Sequence, residues 1–333
     1  MYERFFGLTE RPFDLTPNPR FLYLTGRHRE ALSNLRYGVE GRKGVTLLIG
    51  EAGTGKTTLL RAALEEQRDR LIQTVTVSNP ALTRSEFFEF LAASFELSPN
   101  AANSKTRFLF ELTRLVREQH EAGIVTALMV DESQSLSDEL LEEIRLLANI
   151  ETVTEKLLPV VLIGQPELAD RLNEPQLRQL KQRIALRCVL TPLDLRETAA
   201  YIATRLRIAG GECGRIFTRD AVMTIHERSR GIPRSISVIC DNALLSGFAA
   251  DQRPVGRDIV LEVCNDFDLH PAEQAPVMQA PAPAIIPVPA PIAQAPEVRE
   301  PVAVGQNVAA PRPSVFRQGL FESFTRRRRF SFF

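Results

Sequence analysis

Residues 47–64 read LLIGEAGTGKTTLLRAAL. An apolar run enters a loop carrying Gly50, Gly53 and Gly55, and Lys56, Thr57 and Thr58 open a run of helix-forming residues. The spacing G-x-x-x-x-G-K-[ST] is that of a loop that cradles phosphates. Glycine lets the backbone turn closely around an anion, so the N–H groups along Gly50, Glu51, Ala52, Gly53, Thr54 and Gly55 can form an inward-facing nest. The helix beginning near Lys56 adds the positive end of its dipole. On this reading Lys56 reaches the β- and γ-phosphates of ATP, and the Thr57 hydroxyl holds Mg²⁺. The bland alternative is a Gly-rich turn that happens to precede a lysine. The flanks favour the phosphate loop, since GVTLLIG is strand-like and TTLLRAALEEQ is helix-like.

The chain has 333 residues, enough for one large or two modest domains and a tail. Its 41 basic and 41 acidic residues balance, so no overall charge points to nucleic acid or a membrane surface. Cys188, Cys213, Cys240 and Cys264 form no C-x-x-C pair and read as reduced thiols of a cytoplasmic protein. The opening MYERFFGLTERPF lacks the apolar stretch of a secretory signal. The uncharged stretch 274–296 is broken repeatedly by proline, which argues against a membrane-spanning helix. Half of the 22 prolines fall within residues 271–313, a composition that favours extended chain over a packed core, so the folded region is expected to end near Leu269.

Downstream of the loop, LIQTVTV reads as a strand ending at Ser78, Asn79 and Pro80. GIVTALMVDES is an apolar run delivering Asp131 and Glu132 at its carboxyl end. Asp131 would hold Mg²⁺, directly or through water, and Glu132 would orient and polarise an attacking water. The competing reading makes both acids caps of the following helix. LLPVVLIG ends at Gln165, which either senses the γ-phosphate or caps the helix at Pro166. ALRCVL follows as a further strand. Strands alternating with helices imply an α/β fold, a parallel sheet with helices on both faces and its ligand at the strands' carboxyl ends.

With these motifs placed, the sequence resembles the AAA+ ATPases, and within them the group of general secretion pathway protein A, the mannose-sensitive-haemagglutinin pilus ATPase and the exosortase-associated ATPases. The resemblance covers residues 1–269. It rests on FGLTERPFDLTPNPRFLYLTGRHREALSNLRYGV, GEAGTGKTTLLR, VDESQSLSDELLEEIRLLANIET, VLIGQPEL, LRQLKQRIALRCVLTPL and SRGIPRSISVICDNAL. It implies a P-loop core over 45–192, a helical lid over 193–269, and an N-terminal segment 1–44 lining the adenine pocket, with Pro12, Phe13 and the helix HREALSNLRYGV supplying apolar contacts, although the Tyr and Phe residues there read equally as plain core. Asn79 matches a position that can restrain the catalytic glutamate, though an Asn before proline is also a good turn residue. Arg183 resembles the arginine that related ATPases insert into a neighbour's site. Arg178 and Arg187 compete for that role, and a solvated basic face competes with all three. Arg234 in GIPR resembles the second sensor, carried on the lid and touching the γ-phosphate when the lid closes.

The resemblance implies an ATP-hydrolysing homo-oligomer that energises or regulates an envelope assembly in secretion, pilus formation or exopolysaccharide export. The alternative is a DNA-binding ATPase resembling transposition regulators; the balanced charge gives nucleic acid no support as a partner. Past the Pro/Ala-rich linker 270–314, the block 315–333 interleaves aromatics with Arg326–Arg329. That pattern suits an anionic membrane surface, a partner groove or a plain basic end, and would place the protein peripherally at the inner membrane.

Overall fold

The computed structural model describes residues 1–15, 19–65, 71–78 and 81–268. Asn79, the linker 270–314 and the tail 315–333 lie outside the described residues.

Five parallel strands form one sheet in the order β2-β3-β4-β1-β5. These are β1 (Val45–Gly50), β2 (Ile72–Val77), β3 (Val125–Val130), β4 (Val160–Gly164) and β5 (Ile184–Leu190). β1 and β4 are buried at every residue and β3 at all but its first, and these are the continuous apolar runs that a sheet covered on both faces demands. β5, at one edge, instead alternates between exposed and covered residues. The expected α/β class is therefore present, with ladders such as Leu47 opposite both Leu162 and Arg187.

Helices cover both faces. α1 (Tyr2–Phe6) and α2 (Gly26–Glu40) precede β1; α3 (Lys56–Glu65) follows it; α4 (Arg84–Ser94) and α5 (Lys105–Glu121) lie between β2 and β3. α6 (Asp138–Leu147) follows β3, and α7 (Pro166–Arg171) and α8 (Arg178–Lys181) follow β4. Side chains of β1 point to alternate faces. Val45, Leu47 and Ile49 join a cluster with Phe87, Phe108 and Leu141 of α4, α5 and α6. Leu48 joins the opposite cluster with Leu35 and Leu59 of α2 and α3.

After β5 the chain builds a helical bundle from α9 (Leu195–Ile208), α10 (Cys213–Ile216), α11 (Arg219–Ser229), α12 (Pro233–Ala249) and α13 (Arg257–Asp266). Gly231 sits where α11 hands over to α12, with φ +71°. A Cβ there would lie 2.0 Å from the Leu193 carbonyl oxygen, so only glycine lets the bundle approach the segment after β5 this closely. The Leu193 N–H donates to the Gly231 carbonyl across 2.8 Å.

The N-terminal segment also contributes to the bundle. Tyr2, Phe6, Leu8, Phe13 and Phe21 are buried with Ile202, Ile236 and Leu244 in the bundle's own core. Rings of that size find a dry contact against α9 and α12, and the backbone is tied there as well. Thr9 N–H donates to Ala209 O at 2.8 Å, and Arg205 Nε donates to Pro12 O at 2.6 Å. Among the described residues no helix is long and apolar enough to cross a membrane.

Candidate functional site

The loop between β1 and α3 lies at the carboxyl end of the sheet. Gly53 and Gly55 take φ values of +82° and +97°, a left-handed region that favours glycine. Lys56 is buried and its ammonium donates to the carbonyls of Gly50 at 2.8 Å and Glu51 at 3.0 Å. Burial pulls its pKa down, with Glu132 and Asp131 opposing. Thr57, in the first turn of α3, donates its hydroxyl to Asp131 Oδ2 at 2.9 Å, and the other Asp131 oxygen accepts the Glu132 N–H at 2.9 Å. A hydroxyl and a carboxylate side by side are hard oxygen donors that fit Mg²⁺, which takes one or two protein ligands and completes its shell with phosphate and water. Among the described residues no three His, Cys, Asp or Glu side chains gather as a self-sufficient metal cage.

Glu132 follows Asp131 with φ +50°, a conformation uncommon for a non-glycine residue. Its Oε2 accepts from Gln134 Nε2 at 2.5 Å and from Gln165 Nε2 at 3.3 Å. The Gln134 bond, then Gln165 and Lys56, hold the carboxyl below its usual range despite partial burial. Gln134 also accepts the Gln165 N–H at 3.1 Å, so it ties the ends of β3 and β4 together. Gln165 occupies the N-cap position of α7, yet its side chain makes no capping bond and turns to Glu132 instead.

Above the loop opens a cavity of about 410 Å³, within the range of small-ligand pockets. Leu22, Tyr23, His28, Tyr201 and Arg234 are among its lining residues, with the loop from Ala52 to Thr58 as its floor. Phe13 and Pro12 are not among the lining residues; Phe13 is in the bundle core, and of α2 only His28 reaches the cavity. Arg234 is the second residue of α12. Its N–H donates to Gly53 O at 3.3 Å, and a Cβ on Gly53 would lie 2.8 Å from the Arg234 Cβ. The bundle thus touches the phosphate loop directly.

Arg183 is elsewhere. It is exposed, precedes β5 and packs its carbonyl beside Gly44 at the amino end of the sheet. The six residues of β1 at roughly 3.3 Å each separate it from the loop by about 20 Å, so it does not reach the site of its own chain. Arg178 and Arg187 are exposed too.

Two residues at the site escape sequence reasoning. Gln134 belongs to no spacing pattern, and only its place two residues after Glu132 hints at a role. His28 follows Thr25 as the third residue of a capped helix, which is an ordinary position.

Residues 39–172 match the family described as AAA domain. General secretion pathway protein A of Aeromonas hydrophila is 45% identical over 251 residues, 75% of this chain; the chain spans 45% of that relative's length. Two solved structures share the fold alone. The ORC2 protein of Aeropyrum pernix, in its ADPNP–ADP complexes, is 18% identical with a TM-score of 0.56, covering 77% of this chain and 71% of that one. Drosophila ORC bound to DNA is 17% identical with a TM-score of 0.58, covering 78% and 65%. With the phosphate loop, the Asp131–Glu132 strand end and this similarity together, the chain belongs to the AAA+ ATPases, in the group of general secretion pathway protein A.

Proposed function

We propose that the chain binds ATP with Mg²⁺, hydrolyses it to ADP and phosphate, and uses the cycle as an oligomer to energise or regulate an envelope assembly. The observation that carries the reading is the hydrogen bond from Thr57 to Asp131 beside Glu132, which joins the phosphate loop to the acidic end of β3. In this reading the loop N–H groups and the amino end of α3 bind the polyphosphate. Lys56 leaves the Gly50 and Glu51 carbonyls for the β- and γ-phosphates, an exchange of partners within reach of its side chain. Thr57 and Asp131 would hold Mg²⁺, whose charge would offset that of the phosphates. Glu132, whose carboxyl two amides hold below its usual range, orients and polarises the attacking water. Gln165, already bonded to Glu132, senses the γ-phosphate, and Arg234 carries its presence to the bundle. Asn79 is proposed as a further restraint on Glu132.

Arg183 on the far end of the sheet suits a finger supplied to a neighbouring subunit, which agrees with the oligomer that the resemblance implies. The envelope client follows from the named relative and from nothing in the site itself. Peripheral placement at the inner membrane, through the tail, belongs to the same proposal.

Calorimetry tests the site. Wild-type protein should bind Mg·ATP, and Lys56→Ala should weaken binding at least about tenfold, because a charge-assisted contact to phosphate is lost. Equal affinity in both proteins would remove the phosphate-loop assignment.

A further inference from the structure

His28 is 6% exposed, begins α2 and lines the nucleotide cavity, yet nothing above gives it a task. Both of its ring nitrogens are engaged. Nδ1 lies 2.7 Å from Thr25 Oγ1, and Nε2 lies 3.3 Å from the carbonyl oxygen of Thr54 within the phosphate loop. A carbonyl only accepts, so Nε2 must carry the proton and Nδ1 must accept the Thr25 hydroxyl. Thr25 Oγ1 in turn accepts the His28 N–H at 3.3 Å, so each group has one consistent role. Burial keeps the ring neutral by lowering its pKa, which this tautomer needs.

The consequence lies in the next peptide bond. The Thr54 carbonyl and the Gly55 N–H belong to one planar trans unit and point in opposite directions. Gly55, with φ +97°, is free to swing that plane; a Cβ there would meet nothing nearer than His28 Nε2, at 3.8 Å. Thr54 is held on its other side, its hydroxyl donating to Glu51 O at 2.8 Å. We infer that His28 is a positioning residue for the phosphate loop: by holding the Thr54 carbonyl, it turns the Gly55 N–H toward the polyphosphate. Thr25 sets the imidazole for that task, and the pair couples the start of α2 to the anion nest. The inference rests on the proposed ATP site.

The test compares ADP with adenosine, which shares the base and ribose but carries no phosphate. Both are measured by competition against a fluorescent ADP analogue, on wild type, His28→Ala, His28→Gln and His28→Asn. Gln places an amide N–H near the position of Nε2, whereas Asn is too short to reach the Thr54 carbonyl. ADP affinity should fall about tenfold in His28→Ala and His28→Asn, recover to within about threefold in His28→Gln, and adenosine affinity should stay the same throughout. Parallel loss of ADP and adenosine, or an His28→Asn variant indistinguishable from His28→Gln, would overturn the inference and make His28 a packing residue of the cavity wall. Wild-type protein that binds neither the analogue nor ADP would instead overturn the ATP site itself. Should His28→Ala fail to fold, the Gln and Asn variants decide alone.

Discussion

The sheet and the C-terminal bundle bury their apolar surface by different routes. In the sheet each strand brings the helix beside it in sequence, and the two clusters fill from βα units close along the chain. The bundle completes its core with Tyr2, Phe6, Phe13 and Phe21, drawn from the opposite end of the described chain. The nucleotide cavity lies where the two meet, with its floor from the sheet and its walls from the bundle and the N-terminal segment. The two cores touch where the Arg234 N–H donates to the Gly53 carbonyl at 3.3 Å, so the proposed nucleotide site should depend on both.

The largest effect should come from a residue that belongs to neither wall. Arg183→Ala removes a cation from the amino end of the sheet, about 20 Å from the chain's own loop by strand length. ATP binding by calorimetry should be unchanged while turnover falls by roughly three orders of magnitude, the scale of an arginine finger. Mixing it with Glu132→Gln should restore part of the activity where an intact Glu132 faces an intact Arg183. No recovery in demonstrated mixed oligomers argues against a finger supplied in trans.

A second substitution separates the two cores. Phe6 is 1% exposed and meets Phe5 edge-on with ring centroids 4.8 Å apart. Phe6→Ala should destabilise the bundle by about 3–5 kcal/mol, seen in urea unfolding as an early transition that leaves the sheet folded. ATP affinity should fall with it although no loop residue changes. A single transition with unaltered affinity would mean that the two cores are one.

The smallest effect lies within the sheet region, remote from the site. Glu111 accepts from the Ser98 hydroxyl at 2.7 Å, the Ser98 N–H at 2.9 Å and Arg107 Nε at 2.9 Å. These bonds, the Ser98 hydroxyl foremost, hold its carboxyl at about 2. A carboxyl lowered in the folded state adds stability above the usual carboxylate range and loses it as pH falls toward the folded value. Glu111→Gln should therefore have a lower thermal midpoint than wild type at pH 7, and the gap should close between about pH 4.5 and about pH 2. A gap that does not change with pH would assign the loss to packing.

The same contrast explains what was legible in the sequence. β1, β3 and β4 show as apolar runs and β2 and β5 as mixed strand-like stretches, and the two nucleotide motifs show because each is a short pattern whose spacing has a chemical reason. That Thr57 and Asp131 come within a hydrogen bond across 74 positions follows from parallel strands ending on one side. The bundle's dependence on Tyr2 and Phe6 is invisible locally, since an aromatic near the N-terminus carries no signal of the helix it will meet. Gln134 and His28 are silent for a related reason: each acts through one backbone or side-chain contact made by the fold, without a recurring interval. Phe13 shows the limit from the other side: its sequence context reads equally as adenine contact or plain core, and the fold places it in the bundle core.

In the proposed reading Glu132 performs chemistry at a site that binds ATP without its help. Glu132→Gln keeps the side chain's size and removes its charge. Measured side by side for Mg·ATP binding and phosphate release, this variant should bind as wild type does and turn over at least about a hundredfold more slowly. Turnover within a few fold of wild type, with binding intact, would contradict the claim and move the catalytic role to another residue.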